Sequence, residues 1–152
     1  MARIDLQKYT PVAIWLHWII GITLLIQIGL GLYMVDIPKE TPDRSWYFNL
    51  HKSIGVTLAL FILLRIWWRL GHRPPPLDRL IPEWQVIASK ISHGVLYLCM
   101  IAMPVTGIIM SSYSKYGVKA WGIKIIAGSD DKDARELWLG LHEFTSEILM
   151  VV

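Results

Sequence analysis

The chain has 152 residues, of which 54% are hydrophobic and only 18% charged, with a mean hydropathy of +0.44. Soluble domains carry about a quarter charged residues, so this composition leans towards lipid, as do eight tryptophans, a residue that collects at membrane interfaces. A net charge of +3 is too small to indicate nucleic acid, and the single cysteine, Cys99, excludes an intrachain disulfide and any CxxC motif.

Apolar runs predict four membrane segments. The polar start MARIDLQKYTP leads into an uncharged run too long for a signal-peptide core. The first segment is 11–35, opened by Pro11 at a position where helices favour proline. The second spans about 47–70, with SIGVTLALFILL at its centre and cations from Arg65 onward. The third covers about 86–111 and contains Pro104, an expected kink or local loosening. A fourth begins near 135 and reaches Val152 without a polar flank, so the chain reads as incomplete at its C-terminus. The expected fold is all-α: one integral membrane domain over 1–152, a four-helix transmembrane bundle whose last helix is cut short.

The connections are unequal. DIPKETPDRSW is a short polar turn, and the three prolines of GHRPPPLDRLIPEWQ predict an extended link. Some two dozen residues separate segments three and four, longer than a connector needs. Arg3, Lys8, Arg65, Arg69, Arg73, Arg79 and Lys90 flank one side of the bundle. By the positive-inside tendency both termini and the second connection face the cytoplasm. Lys115, Lys119, Lys124, Lys132 and Arg135 in the last loop weaken that bias.

Histidine placement carries the functional argument. His72 falls in the proline-rich link, where a solvated ring is expected, but His17, His51, His93 and His142 each fall in a different segment. Ionisable residues inside membrane helices are rare, costly and usually functional. A neutral imidazole bonded to a neighbouring helix is the plain explanation for one such residue; four in four helices favour cofactor ligation. His51 and His142 sit near the outer starts of their segments, while His17 and His93 lie about two turns in from the inner side. A four-helix bundle with histidines at two depths can hold two stacked cofactors, and haem suits bis-imidazole ligation. Zinc prefers several ligands converging on one point, a pattern the sequence lacks.

Other residues fit a flat macrocycle or have ordinary uses. Gly21, Gly29, Gly31, Gly55, Gly94 and Gly107 thin the helix walls, either for a ring or for close helix contact; Gly55, one turn after His51, is the first choice for haem clearance. Arg65 and Arg69 either pair with propionates or snorkel to headgroups. Glu143 and Glu147 stand near His142 without a role the sequence selects. Lys115, Lys119 and Lys124, interleaved with Tyr113, Tyr116 and Trp121, form either a solvated loop with an aromatic belt or an electropositive funnel for a small anion.

Leu16-His17-Trp18, His51-Lys52-Ser53-Ile54-Gly55, Arg65…Trp68-Arg69 followed by Pro74-Pro75-Pro76, His93-Gly94-Val95-Leu96-Tyr97, Ala102-Met103-Pro104-Val105-Thr106-Gly107 and Leu141-His142-Glu143 occur in an order and spacing that resembles the bacterial cytochrome b561 family. That family groups with the cytochrome b subunits of nickel-iron hydrogenases and formate dehydrogenases. The resemblance implies two b-type haems, with His51 and His142 on the outer iron and His17 on the inner one. The family's second inner ligand lies about fourteen residues beyond His142, roughly 21 Å along the helix and past Val152. Either truncation leaves one haem, or His93 completes the inner site.

The resemblance further implies electron transfer in the bacterial inner membrane between haem and quinone. An outer donor, superoxide, suits the basic loop; a superoxide:quinone oxidoreductase is the leading expectation. The alternative is an anchor and relay subunit of a hydrogenase or dehydrogenase, docking a redox partner protein at the outer face. A histidine-using membrane transporter is a third reading, disfavoured by the histidines' separation in depth. Lipid and quinone are the expected partners, with no nucleic acid.

Overall fold

In the computed structural model, which describes residues 8–72, 75 and 81–152, four helices and one small hairpin follow in the order α1 (Pro11–Asp36), α2 (Arg44–Gly71), α3 (Glu83–Ser112), β1 (Val118–Ala120), β2 (Ile123–Ile126) and α4 (Lys132–Val151). Arg3, Arg73, Arg79, Pro74 and Pro76, which enter the orientation and linker arguments, lie outside the described residues. α1, α2 and α3 are long and apolar enough to cross a membrane. α4 has 20 residues but carries Lys132, Asp133, Arg135, Glu136, Glu143 and Glu147, and it is not among those three.

Local chemistry sets the helix ends. Thr10 caps α1 by accepting the Ala13 N–H on Oγ1, with Pro11 in the first turn. Asp131 caps α4 in the same way through Ala134. α3 continues as one helix through Pro104, which membrane helices tolerate where side chains and neighbouring helices satisfy the loosened backbone.

Packing is pairwise, α1 against α2 and α3 against α4, with α2 and α3 joining the two pairs. A small core of Ile20, Leu58 and Ile62 lies between α1 and α2, with Leu24, Phe61, Ile66 and Met100 against it. Large apolar side chains such as Trp15, Leu25, Leu60, Trp67 and Leu98 point outward, the reverse of a soluble bundle and the arrangement lipid requires. Two end-clamps hold α1 to α2. At one end Trp68 Nε1 donates to Thr10 Oγ1 at 2.9 Å, and Arg65 donates to the Ala13 carbonyl at 3.3 Å. At the other, Arg44 donates to the Ile37 carbonyl at 2.9 Å.

The long third connection is more than a loop. β1 and β2 pair antiparallel, Ala120 opposite Ile123 and Lys119 opposite Lys124, with an irregularity between Val118 and Lys119. Val118 and Ala120 are buried, and the hairpin packs on α2. Gly117, at φ +66°, has no room for a side chain, because a Cβ would meet the Ile126 carbonyl oxygen and the Gly128 backbone.

Candidate functional site

His51 on α2 and His142 on α4 both line a chamber of about 1320 Å³ between the helices. Their ring centroids are 6.4 Å apart and their planes cross at 82°. Each ring is cradled by a glycine on a neighbouring helix. A Cβ on Gly31 of α1 would stand 3.3 Å from His51 Cε1, and one on Gly107 of α3 would stand 3.1 Å from His142 Cε1. A side chain at either position would push into an imidazole.

The two histidines are held differently. Thr106 Oγ1 lies 2.7 Å from the Ala102 carbonyl and 2.9 Å from His142 Nδ1. A carbonyl only accepts, so the hydroxyl proton goes to Ala102 and Oγ1 accepts from His142 Nδ1–H. That tautomer leaves Nε2 bare, the state a metal-binding imidazole needs. His51 has no such partner: its Nδ1 is buried and unbonded. It is fixed through its backbone instead, since Gln27 Nε2 donates to the His51 carbonyl at 2.8 Å. Gln27 is itself buried, with Oε1 unpartnered.

Gly55, expected to clear space for a ring, faces this amide: a Cβ there would stand 3.2 Å from Gln27 Nε2. Gly31, Gly55 and Gly107 all line the chamber, Gly31 and Gly107 beside the two imidazoles. Gln27 escaped the sequence reading, although the signal was available as a polar side chain in the middle of an apolar run, the same rule that singled out His17.

A porphyrin iron fits this arrangement. Imidazole–metal bonds are about 2 Å long, and a ring centroid lies about 1 Å behind its ligating nitrogen, so two imidazoles on opposite sides of one metal have centroids about 6 Å apart. The observed 6.4 Å matches. The chamber exceeds the roughly 300–1,000 Å³ of ordinary small-molecule pockets, and its wall is mostly apolar. Among the described residues no three His, Cys, Asp or Glu side chains converge to hold a bare metal ion, as a zinc site would need. Basic residues edge the chamber, including Lys52, Lys119, Lys132 and Arg135, with Asp130 and Glu136 among them. Lys52 Nζ also donates to the Gly117 carbonyl at 3.3 Å.

The opposite end of the bundle has a smaller pocket of about 350 Å³, which brings together His17, His93, Arg65, Arg69, His72 and Tyr97. His93 Nδ1 donates to the Ser89 carbonyl at 2.6 Å, again leaving Nε2 bare. His17 packs edge-on against Trp18. His72, at the end of α2, is exposed and stacks on Trp68 with centroids 4.0 Å apart. Arg69 lies over the Tyr97 ring at 5.3 Å, a cation–π contact between α2 and α3.

Residues 8–152 match the family profile for prokaryotic cytochrome b561. Similar proteins include cytochrome b561 homolog 2 of Escherichia coli K12, 29% identical over 120 residues covering 76% of this chain and 62% of that protein. Cytochrome b561 homolog 1 of the same organism is 27% identical over 125 residues, 76% of this chain and 64% of its own length. A probable superoxide oxidase CybB of Yersinia pestis is 24% identical over 119 residues, 74% of this chain and 65% of that protein. The matched region thus spans less than two-thirds of the length of each of these relatives. Family membership implies b-type haem, in keeping with the paired imidazoles and the glycines beside them. The chain belongs to the prokaryotic cytochrome b561 family.

Proposed function

We propose that this chain is a membrane electron-transfer protein of the bacterial inner membrane that holds b-type haem between His51 and His142 and passes electrons from superoxide to the quinone pool. The observation that carries the reading is the neighbouring imidazole pair, at a centroid separation that suits one iron, with one ring held as the Nδ1–H tautomer by Thr106. Bound haem would supply a one-electron couple shielded from water by the helix walls.

This chain's own residues do the rest. His51 and His142 orient the group, and Gly31 and Gly107 leave room for both rings to lie flush against their helices. Lys119, Lys132 and Arg135 at the rim raise the local concentration of small anions. The similarity to a probable superoxide oxidase supports superoxide as that anion. The His51 end then faces outward, with the N-terminus on the cytoplasmic side.

In the same reading His17 ligates a second haem at the other end, and His93, which lines the same pocket, is its partner within this chain. Arg65 and Arg69 in that pocket are suited to propionate or headgroup oxygens.

A reduced-minus-oxidised spectrum and a pyridine haemochrome assay test the proposal. His51→Ala and His142→Ala should each abolish the haem of the large chamber. His17→Ala should leave that haem and remove only a second one. Full haem content in His51→Ala would overturn the assignment. Stopped-flow reduction by superoxide, with ubiquinone reduced afterwards, tests the donor and acceptor; a haem that superoxide does not reduce would overturn that part.

A further inference from the structure

The β1–β2 hairpin connects α3 to α4 at the chamber end of the bundle, and its turn does not stand away from the protein. The turn residues Trp121 and Gly122 have φ of +52° and +83°, positive at both central positions as in the two-residue turns that suit a twisted hairpin. Glycine takes that backbone freely; a tryptophan pays about 1–2 kcal/mol of steric strain for it. Two hydrogen bonds to α2 offset this strain. The Trp121 backbone N–H donates to Ser53 Oγ at 2.9 Å, and the indole Nε1 donates to Thr57 Oγ1 at 3.0 Å. Both hydroxyls are free to accept, because Ser53 gives its proton to the Asn49 carbonyl and Thr57 gives its own to the Ser53 carbonyl.

These bonds fix the depth of the turn. A hydrocarbon core of about 30 Å takes about 20 helical residues, and about 17 at the low end. α2 offers 28, from Arg44 to Gly71. A 17-residue span ending as late as Gly71 begins at Gly55, and one beginning as early as Arg44 reaches Leu60. Thr57 lies within the hydrocarbon for every placement in which α2 crosses the bilayer, and the indole bonded to it lies there too.

The exposed surface of the hairpin agrees with that depth. Trp121 is 63% exposed, Ile123 70% and Ile125 52%, a cluster that water would penalise and acyl chains would not. Both N–H groups of Trp121 are bonded to α2, as hydrocarbon demands of a buried donor. Lys119 and Lys124 stand opposite each other across the ladder, a like-charge pair that is unfavourable in isolation. Long ammonium side chains at this depth snorkel to the phosphate layer.

We infer that the β1–β2 hairpin is a re-entrant element, its Trp121–Ile125 tip inserted among the phospholipid acyl chains of the leaflet on the His51 side and strapped to α2 by Ser53 and Thr57. The inference rests on α2 crossing the membrane and is independent of any haem.

The test uses the single native cysteine to advantage. In a Cys99→Ser background, one cysteine is placed at Ile123→Cys, Ile125→Cys or, as a water-facing control on the same side of the bundle, Glu40→Cys. Each is spin-labelled in the full chain and reconstituted into phosphatidylcholine–phosphatidylglycerol vesicles. Power saturation then compares access of oxygen with access of a water-soluble nickel chelate. The oxygen-to-nickel ratio should be roughly tenfold higher at position 123 than at position 40, because the chelate is excluded from hydrocarbon. A ratio at 123 equal to that at 40 overturns the inference. Should Ile123→Cys fail to give helical, monodisperse protein, Ile125→Cys decides by the same comparison.

Discussion

Replacing Thr106 by valine removes one oxygen and leaves the side-chain shape nearly unchanged, which makes it a clean probe of the chamber. Thr106 Oγ1 accepts the His142 Nδ1 proton at 2.9 Å while donating to the Ala102 carbonyl at 2.7 Å. In the valine variant the His142 ring loses this acceptor and has only the Met103 backbone carbonyl left within reach. An unsatisfied buried donor costs about 1–3 kcal/mol; the half-buried position of His142 and the Met103 carbonyl beside it place this one at the low end, about 1 kcal/mol. Loss of a partner behind a metal ligand costs about 10–100-fold in affinity, which is the same scale. The assay is haem per chain after washing in detergent, with the midpoint potential measured on what remains. Thr106→Val should lose haem faster and raise the potential, since an imidazole without its Nδ1–H acceptor is a weaker base towards ferric iron. Thr106→Ser should restore both. Parent-like haem retention and potential in Thr106→Val would refute the argument that this bond orients the ligand.

Four further outcomes follow from the same geometry. Gly107→Ala brings a Cβ to 3.1 Å from His142 Cε1 and Gly31→Ala one to 3.3 Å from His51 Cε1; both should shift the haem spectrum, Gly107→Ala more, at an overpacking cost of about 1–3 kcal/mol. Gly55→Ala presses on the Gln27 amide instead and should lower the melting temperature in detergent with little spectral change. Ser53→Ala strips the acceptor from the Trp121 N–H and should destabilise the chain by about 1–3 kcal/mol, whereas Trp121→Phe, losing only the Thr57 bond, should cost about 0.5–1.5 kcal/mol, both read by thermal unfolding. Under the proposed function, Lys119→Gln with Arg135→Gln should slow haem reduction by superoxide and flatten its salt dependence, because steering by rim charges is screened over about 10 Å at 0.1 M salt.

Much of the architecture was legible because lipid imposes a simple rule on composition. Runs of about twenty apolar residues located α1, α2 and α3 to within a few positions. α2 and α3 begin earlier than their apolar runs, at Arg44 and Glu83, because hydrogen bonding continues the helix into the interface, where hydropathy gives no signal. Histidine depth sorted the rings into two groups by counting turns, and the structure brings His51 together with His142 at one end and His17 with His93 in one pocket at the other. Counting turns converts position into height because each residue of a membrane helix advances about 1.5 Å along its axis.

What escaped the sequence is whatever depends on the rotation of one helix about its axis relative to its neighbour. Gly55 is one turn from His51 and lines the chamber, but adjacency along α2 does not determine what α1 presents to it. The helix pair is rotated so that Gln27 lies beside Gly55, and Gln27 Nε2 reaches the His51 carbonyl. The glycines beside the imidazoles come from α1 and α3 and are remote in sequence from the residues they serve. The same reasoning explains the hairpin. Its strands are three and four residues long, too short for an alternation pattern to rise above noise, and a tryptophan–glycine turn lacks the usual asparagine or aspartate. Trp121 occupies that turn because hydroxyls one turn apart on α2 stand ready to accept its two N–H groups. The structural role of Ser53 and Thr57 is therefore visible only once two segments more than sixty residues apart are seen side by side.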